Sequence, residues 1–230
     1  MGTTDGANVS LHLGVLPPAT QKALDFFSKQ TWLHNSAWYL AGDTALALHY
    51  GYRESVDLDF FTTEKEFDLE SFLTRFVDEK KWKTTIARTG TIYANLQGAK
   101  VSFIAYPFFT PVEPGVQYGS VRILSARDIA VMKIIAISQR GRKRDFVDLY
   151  WYVNNQEPLK EIIERVPKQY STVTHDIHHI LKSLLYFADA EADPMPQLHF
   201  EVTWKDVKKF FDKEVPKLAR EMLRLDQKYE

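Results

Sequence analysis

Two aspartates, Asp57 and Asp59, stand in an otherwise apolar run, Val56-Asp-Leu-Asp-Phe60-Phe61. On an extended strand alternate side chains leave opposite faces, so both carboxylates share one face, roughly 7 Å apart along the backbone. Val56, Leu58 and Phe60 would then go to the other face, toward a core. Neighbouring carboxylates repel, and folding alone does not ask for them. They suit a pair of magnesium (or manganese) ions, as hard oxygen ligands that leave positions for water and substrate phosphates. Upstream, Gly42-Asp43-Thr44 follows the strand-like Trp38-Tyr-Leu-Ala41 and precedes the helix-forming Ala45 to His49. The first amides of such a helix point outward and can receive an anion, and glycine lets backbone and phosphate approach closely.

Further along, Lys133 is the only charged residue between Ile129 and Ile137. At helical spacing it points off an apolar face, so contact with a nucleotide or with an aspartate of the site is expected. Asp145 and Asp148, three apart in Arg144-Asp-Phe-Val-Asp-Leu-Tyr150, share a helical face, and Arg144 is spaced to pair with Asp148. Arg140, Arg142, Lys143 and Arg144 form a local basic patch for nucleic acid. His175 and His179 have zinc-like spacing without a third ligand or a glutamate between them, and read as surface histidines near a helix start.

The elements that must position these groups come in two halves. Pro17-Pro18 opens a helix to about Trp32, and Trp38 to Thr62 reads as strand, turn, helix, strand. A helix from Asp68 to Lys80 follows, then strands at Trp82 to Arg88, Thr91 to Leu96 and Lys100 to Tyr106, with Gly90 and Gly98 at the turns. A looser Pro-rich segment leads to a short strand, Val121 to Leu124. From Ser125 the pattern is helical: 126–139, Lys143 to Asn154, Pro158 to Tyr170, Asp176 to Ala188, and Trp204 to Lys228 with Pro216 as a break. The expected class is α+β, a mixed sheet flanked by helices followed by a C-terminal helical bundle. The expected units are a loose leader (1–15), a core (16–124) and a helical domain contributing to the site (125–230).

Composition excludes several classes. The 230 residues hold no cysteine, so neither a disulfide framework nor a thiolate metal site is available. The formal net charge is −1, so a nucleic-acid partner must rest on a local patch rather than on bulk charge. No apolar run approaches membrane-spanning length, the first residues show no basic segment followed by an apolar run, so no signal peptide is expected, and Gly6 stands where a myristoylation motif needs Ser or Thr. A cytoplasmic protein with no membrane partner is expected.

Taken together, Tyr39-Leu-Ala-Gly-Asp-Thr-Ala-Leu-Ala-Leu-His49, Ser55-Val-Asp-Leu-Asp-Phe-Phe61, Lys133 and Arg144-Asp-Phe-Val-Asp-Leu-Tyr150 resemble, in the same order, the AbiEii/AbiGii-type toxin branch of the nucleotidyltransferase superfamily. The resemblance covers most of residues 16–153 and implies a polymerase-beta-like core. It implies that Gly42 and Thr44 hold triphosphate oxygens, with Asp43, Arg53 and Ser55 as further nucleotide contacts. It also implies that Asp57 and Asp59 bind magnesium and that Lys133, Asp145 and Asp148 complete the site. The reaction implied is attack of a hydroxyl, such as one on transfer RNA, on the α-phosphate of a nucleoside triphosphate, in a toxin neutralised by an antitoxin. The sequence departs from the family at Asp43, where a second glycine is usual, and at Ser102, where many relatives place a third metal carboxylate. A carboxylate at 43 should repel a triphosphate unless it points away or caps the helix, and either Asp145 or Asp148 replaces the missing ligand or the site holds its metals weakly. Two rival readings are a catalytically silent nucleotide- or RNA-binding module and a small-molecule nucleotidyltransferase.

Overall fold

A computed structural model describes residues 10–226. In chain order its elements are α1 (Pro18–Ser28), β1 (Trp38–Ala41), α2 (Gly42–Tyr50), β2 (Asp57–Thr62), α3 (Leu69–Leu73), β3 (Trp82–Arg88), β4 (Thr91–Leu96), β5 (Ala99–Ala105), β6 (Val116–Tyr118) and β7 (Val121–Ile123). Six helices follow: α4 (Ala126–Arg140), α5 (Lys143–Asn155), α6 (Leu159–Gln169), α7 (Ile177–Ser183), α8 (Ala188–Glu191) and α9 (Trp204–Asp226). The strands make one mixed seven-stranded sheet in the order β3-β4-β5-β2-β1-β7-β6. β1 runs antiparallel to β2, whereas β2 with β5 and β1 with β7 are parallel. The expected α+β architecture, a mixed sheet with helices beside it and a helical second half, is the one observed.

One face of the sheet is apolar because alternate residues of β2, β4 and β5 are apolar. Leu58, Phe60, Ile92, Leu96, Val101 and Phe103 are all buried there. Phe27 of α1 and Phe72 of α3 close over it, and Phe60 and Phe103 stack with centroids 4.8 Å apart. Aromatic contacts of this kind add about 0.5–1.5 kcal/mol each beyond area burial. The opposite face carries Asp57, Asp59 and Ser102 and looks toward α4. Ser125 caps α4 by accepting from the Asp128 amide at 3.1 Å. Gly141, with φ +50°, ends α4 and turns the chain directly into α5, so that Lys133 on one helix meets Asp145 and Asp148 on the next.

Several elements differ from the sequence expectation. The helix expected to reach Trp32 stops at Ser28, and Thr31–Leu33 form a separate 3-10 turn. α3 and a 3-10 turn, Thr74–Phe76, replace a helix to Lys80; Phe72 and Phe76 are buried, but Val77 is 76% exposed and gives no reason to continue. Val56 precedes β2 and is 53% exposed, not in the core. β6 was hidden in the Pro-rich segment because three residues are too few to show alternation. The helix expected over Asp176 to Ala188 is two, α7 and α8. Pro216 lies inside an unbroken α9, where burial of Val207, Phe211, Val215 and Leu218 outweighs the ~3 kcal/mol cost of an interior proline. The expected end of that helix at 227–228 lies outside the described residues, as do residues 1–9 of the expected loose leader. The rest of that leader is tied down: Leu13–Val15 form a 3-10 turn, and the carbonyl of buried Val15 accepts from the Ser55 amide at 3.2 Å.

Candidate active site

β1 and β2 are paired so that Ala41 lies opposite Asp59, which brings the β1–α2 turn beside the β2 carboxylates. Gly42 adopts φ +73°, a left-handed conformation that glycine enters without strain. A Cβ at this position would come within 3.4 Å of Asp59 Oδ2. The turn and the two acids therefore face each other across a cavity of about 580 Å³, lined among others by Gly42, Asp43, Asp57, Asp59, Ser102 and Lys133. That is an ordinary size for a small-molecule site.

Asp43 neither caps α2 nor faces a phosphate unopposed. Its carboxylate meets Lys133 Nζ, Arg53 Nη2 at 3.2 Å and Arg144 Nε at 2.9 Å. Lys133 also binds Asp145 at 2.8 Å and Asp148 at 2.6 Å. Asp148 is saturated by three further donations: Tyr52 Oη and Arg53 Nε to Oδ1, both 2.6 Å, and Arg53 Nη2 to Oδ2 at 2.9 Å. Asp43, Asp145 and Asp148 bring oxygens close enough together to hold a cation, and the cation they hold is the Lys133 ammonium. Burial pushes the Asp43 carboxyl up, but the charges of Lys133, Arg53 and Arg144 outweigh it and hold it well below its ordinary value of 3.8. For Lys133 burial acts downward, and the three aspartates overcome it, so the ammonium stays charged. Three buried carboxylates are thus matched by Lys133, Arg53 and Arg144.

Because the folded-state pKa of Asp43 is depressed, its contribution to stability is present above its ordinary value and disappears as acid protonates it. The melting temperature should therefore fall as pH drops below about 4. The same titration of Asp43→Asn should show a shallower fall over that range, and a parallel curve would contradict the assignment.

The β2 acids have no such match. Among the described residues neither Asp57 nor Asp59 makes an ion pair. Asp57 Oδ1 is buried with no hydrogen-bond partner. Burial raises the Asp59 carboxyl above its ordinary value, the Ser102 hydrogen bond works against this, and the charges of Asp43 and Asp57 raise it further. An orphaned carboxylate oxygen beside a like-charged neighbour is the donor set a divalent cation takes, so the residues present fit magnesium. Ser102 is opposite Asp59 in the parallel β2–β5 register and donates Oγ to Asp59 Oδ1 at 2.6 Å. It does not ligate in place of a carboxylate; it orients one. Asp148 is not free for the role, since it is saturated; Asp145 gives Oδ1 to Lys133, while its Oδ2 has no hydrogen-bond partner, 3.7 Å from Arg140 Nε on the wall of the same cavity. Ser102→Ala should weaken metal affinity about 10- to 100-fold, the usual effect of losing a group that orients a ligand, and titration of the metal-dependent melting shift would show it.

Other expected residues lie elsewhere than their types suggested. Thr44 and Ser55 are buried and do not line the cavity: their hydroxyls bond to each other at 2.7 Å, and Thr44 Oγ1 donates to the Asp57 carbonyl, fixing the start of β2. Arg53 is buried against Asp148, its guanidinium already occupied. Arg144 pairs with Asp43, not Asp148. The four basic residues do not form one patch, because Lys143 is buried and donates to the carbonyls of Glu191 and Asp193, and Arg142 pairs with Asp193 at 3.1 Å. Arg140 and Arg144 instead reach the cavity wall with roughly half their side chains exposed. Tyr52 was not foreseen, since nothing in its neighbourhood signals a partner 96 positions away.

The chain has relatives. A protein of Aquifex aeolicus (strain VF5), the uncharacterized aq_aa25, is 38% identical over 183 residues, 77% of this chain and 86% of that one. A structure from H. pylori described as a nucleotidyltransferase has a TM-score of 0.52 at 16% identity and covers 90% of this chain and 97% of that one. MenT4, a nucleotidyltransferase toxin from Mycobacterium tuberculosis H37Rv, gives 0.52 at 14% identity over 84% of this chain and 82% of its own. At such identities these two structures speak to the fold alone. The sequence match is broader in consequence: the model of the nucleotidyl transferase AbiEii toxin, type IV toxin–antitoxin system, matches residues 31–229. The chain therefore belongs to the AbiEii toxin family of nucleotidyltransferases.

Proposed function

We propose that the protein is a magnesium-dependent enzyme that moves a nucleoside monophosphate from a nucleoside triphosphate to a hydroxyl of an RNA acceptor. We further propose that a partner antitoxin restrains it. The observation that carries the reading is the unmatched β2 pair. Asp57 and Asp59 lie on the cavity wall without cations, in a site where every other buried carboxylate has one.

Asp57 and Asp59 would hold the metal, which when bound neutralises phosphate charge and orients the α-phosphorus. The chain's own groups do the rest. The Gly42 turn lets phosphate oxygens approach the backbone at the start of α2. Arg140 and Arg144, half-exposed on the wall, receive the triphosphate, with Arg144 fixed through its Nε to Asp43. Because Lys133 and Arg53 also hold Asp43, the carboxylate that replaces a glycine does not confront the incoming phosphates. An acceptor oxygen forms a bond to the α-phosphorus, the bond to the bridging oxygen breaks, and pyrophosphate leaves with the electron pair. The acceptor proton passes to the carboxylate face of β2.

Melting in the presence of magnesium and each nucleoside triphosphate tests the first half of the reading. A ligand a hundredfold above its Kd should raise the melting temperature by about 5–10 °C. Incubation with total RNA and each labelled triphosphate tests the second half. Binding without incorporation into RNA would exclude the transferase as proposed.

A further inference from the structure

The carboxylate-bearing face of the sheet does not end at the cavity. Strand register carries one row from Asp57 through Lys100 and Asn95 to Lys83, and the next from Asp59 through Ser102 and Tyr93 to Ile86. Between Thr84 and Ile86 the β3–β4 pairing shifts by one residue, a bulge at Thr85. Without that extra residue, alternation from Lys83 would send Arg88 to the far face; with it, Arg88 lies opposite Thr91, on the same side as Tyr93. This face is open at the cavity's edge and beyond it: Lys100 and Tyr93, the latter 38% exposed, line the cavity, and the exposed Lys83 and Arg88 lie outside it. Among the described residues none of the three cations makes an ion pair. β3 is also the edge of the sheet, so nothing follows it laterally.

From this arrangement we infer that the open face of β3–β5 seats the single-stranded 3′ end of the RNA acceptor. The inference rests on the transferase reading and names where its second substrate lies. Lys83 and Arg88 hold backbone phosphates, Tyr93 stacks a base, and the terminal hydroxyl reaches Asp57 and Asp59, three strands and about 14 Å away. Charge complementarity selects the occupant. Unpaired cations around an exposed aromatic ring, leading to paired acids, fit a polyanion with planar bases better than an acidic protein segment, which would leave the ring unused.

The test is fluorescence anisotropy of a 5′-labelled, unstructured oligoribonucleotide with the full chain over a series of salt concentrations. Tyr93→Ala should weaken binding about tenfold, the effect of losing one stacked base. Lys83→Gln with Arg88→Gln should lower the salt slope by about 1.4, roughly 0.7 for each phosphate released. Parent protein that does not bind the oligonucleotide, or variants that bind it with the parent's affinity and slope, would overturn the inference; the latter is also the outcome if this face docks a protein. The magnesium–triphosphate melting shift, measured on the parent and on the double variant, reports separately on the transferase reading. Its loss in the parent counts against that reading, and its retention in the double variant shows that the substitutions act on the acceptor alone.

Discussion

Lys133→Met is expected to lower the stability of the protein by about 3–5 kcal/mol, which for a chain of this size is a fall of about 10 °C in melting temperature. Lys133 Nζ sits among Asp43, Asp145 and Asp148, and all four side chains are buried. Methionine fills much of the volume but leaves three carboxylates facing one another, with Arg53 and Arg144 to share between them. Replacing a whole buried ion cluster by apolar groups can be neutral, whereas removing one member strands the others. The quadruple substitution that also turns the three aspartates into asparagines should recover part of the loss. Urea unfolding of both proteins measures the difference, and a single variant as stable as the parent would contradict the role given to Lys133.

The opposite behaviour is expected on β2. Asp57→Asn and Asp59→Asn should each reduce transfer by about 10²- to 10³-fold, the scale on which loss of one charge-stabilising group acts. Stability should stay level or rise. Burial and the charges of Asp43 and Asp57 already disfavour the ionised form of Asp59, so a neutral isostere relieves a cost of folding rather than removing a support. Melting curves without ligand, followed by the same curves with magnesium and triphosphate, separate the two effects. A β2 variant that melts well below the parent without ligand would place these acids among the structural groups instead.

The contrast explains which parts of the site could be read in the sequence. Asp57 and Asp59 were legible because alternation on a strand ties side-chain direction to position, and their apolar neighbours made the polar face conspicuous. Lys133 and the Asp145/Asp148 face were legible for the same reason at helical spacing, although only the structure shows that Lys133 answers three carboxylates together. Pairing across long separations was not legible. Arg53 and Tyr52 meet Asp148 from some 95 positions away, and local spacing pointed Arg144 to Asp148 when its partner is Asp43. A run of four basic residues likewise looks like one surface in sequence. Gly141 ends α4 between Arg140 and Arg142, and α5 starts only at Lys143, so the run divides among cavity wall, surface and interior. In the fold, glycine-marked hairpins and the helical half were visible. The truncated α3 and the unbroken passage of α9 through Pro216 depended on tertiary packing, to which local pattern is blind.

The ion cluster joins α2 to α4 and α5, which the ribosome makes roughly a hundred residues later. A nascent chain that has emerged only as far as β7 already displays Asp57 and Asp59, yet Asp43 still lacks Lys133 and Arg144, and the cavity has no second wall. Such a chain should be inert. The toxin would thus acquire its potency only once α4 and α5 have followed the sheet out of the exit tunnel, which leaves an interval in which a partner could engage it before it does harm.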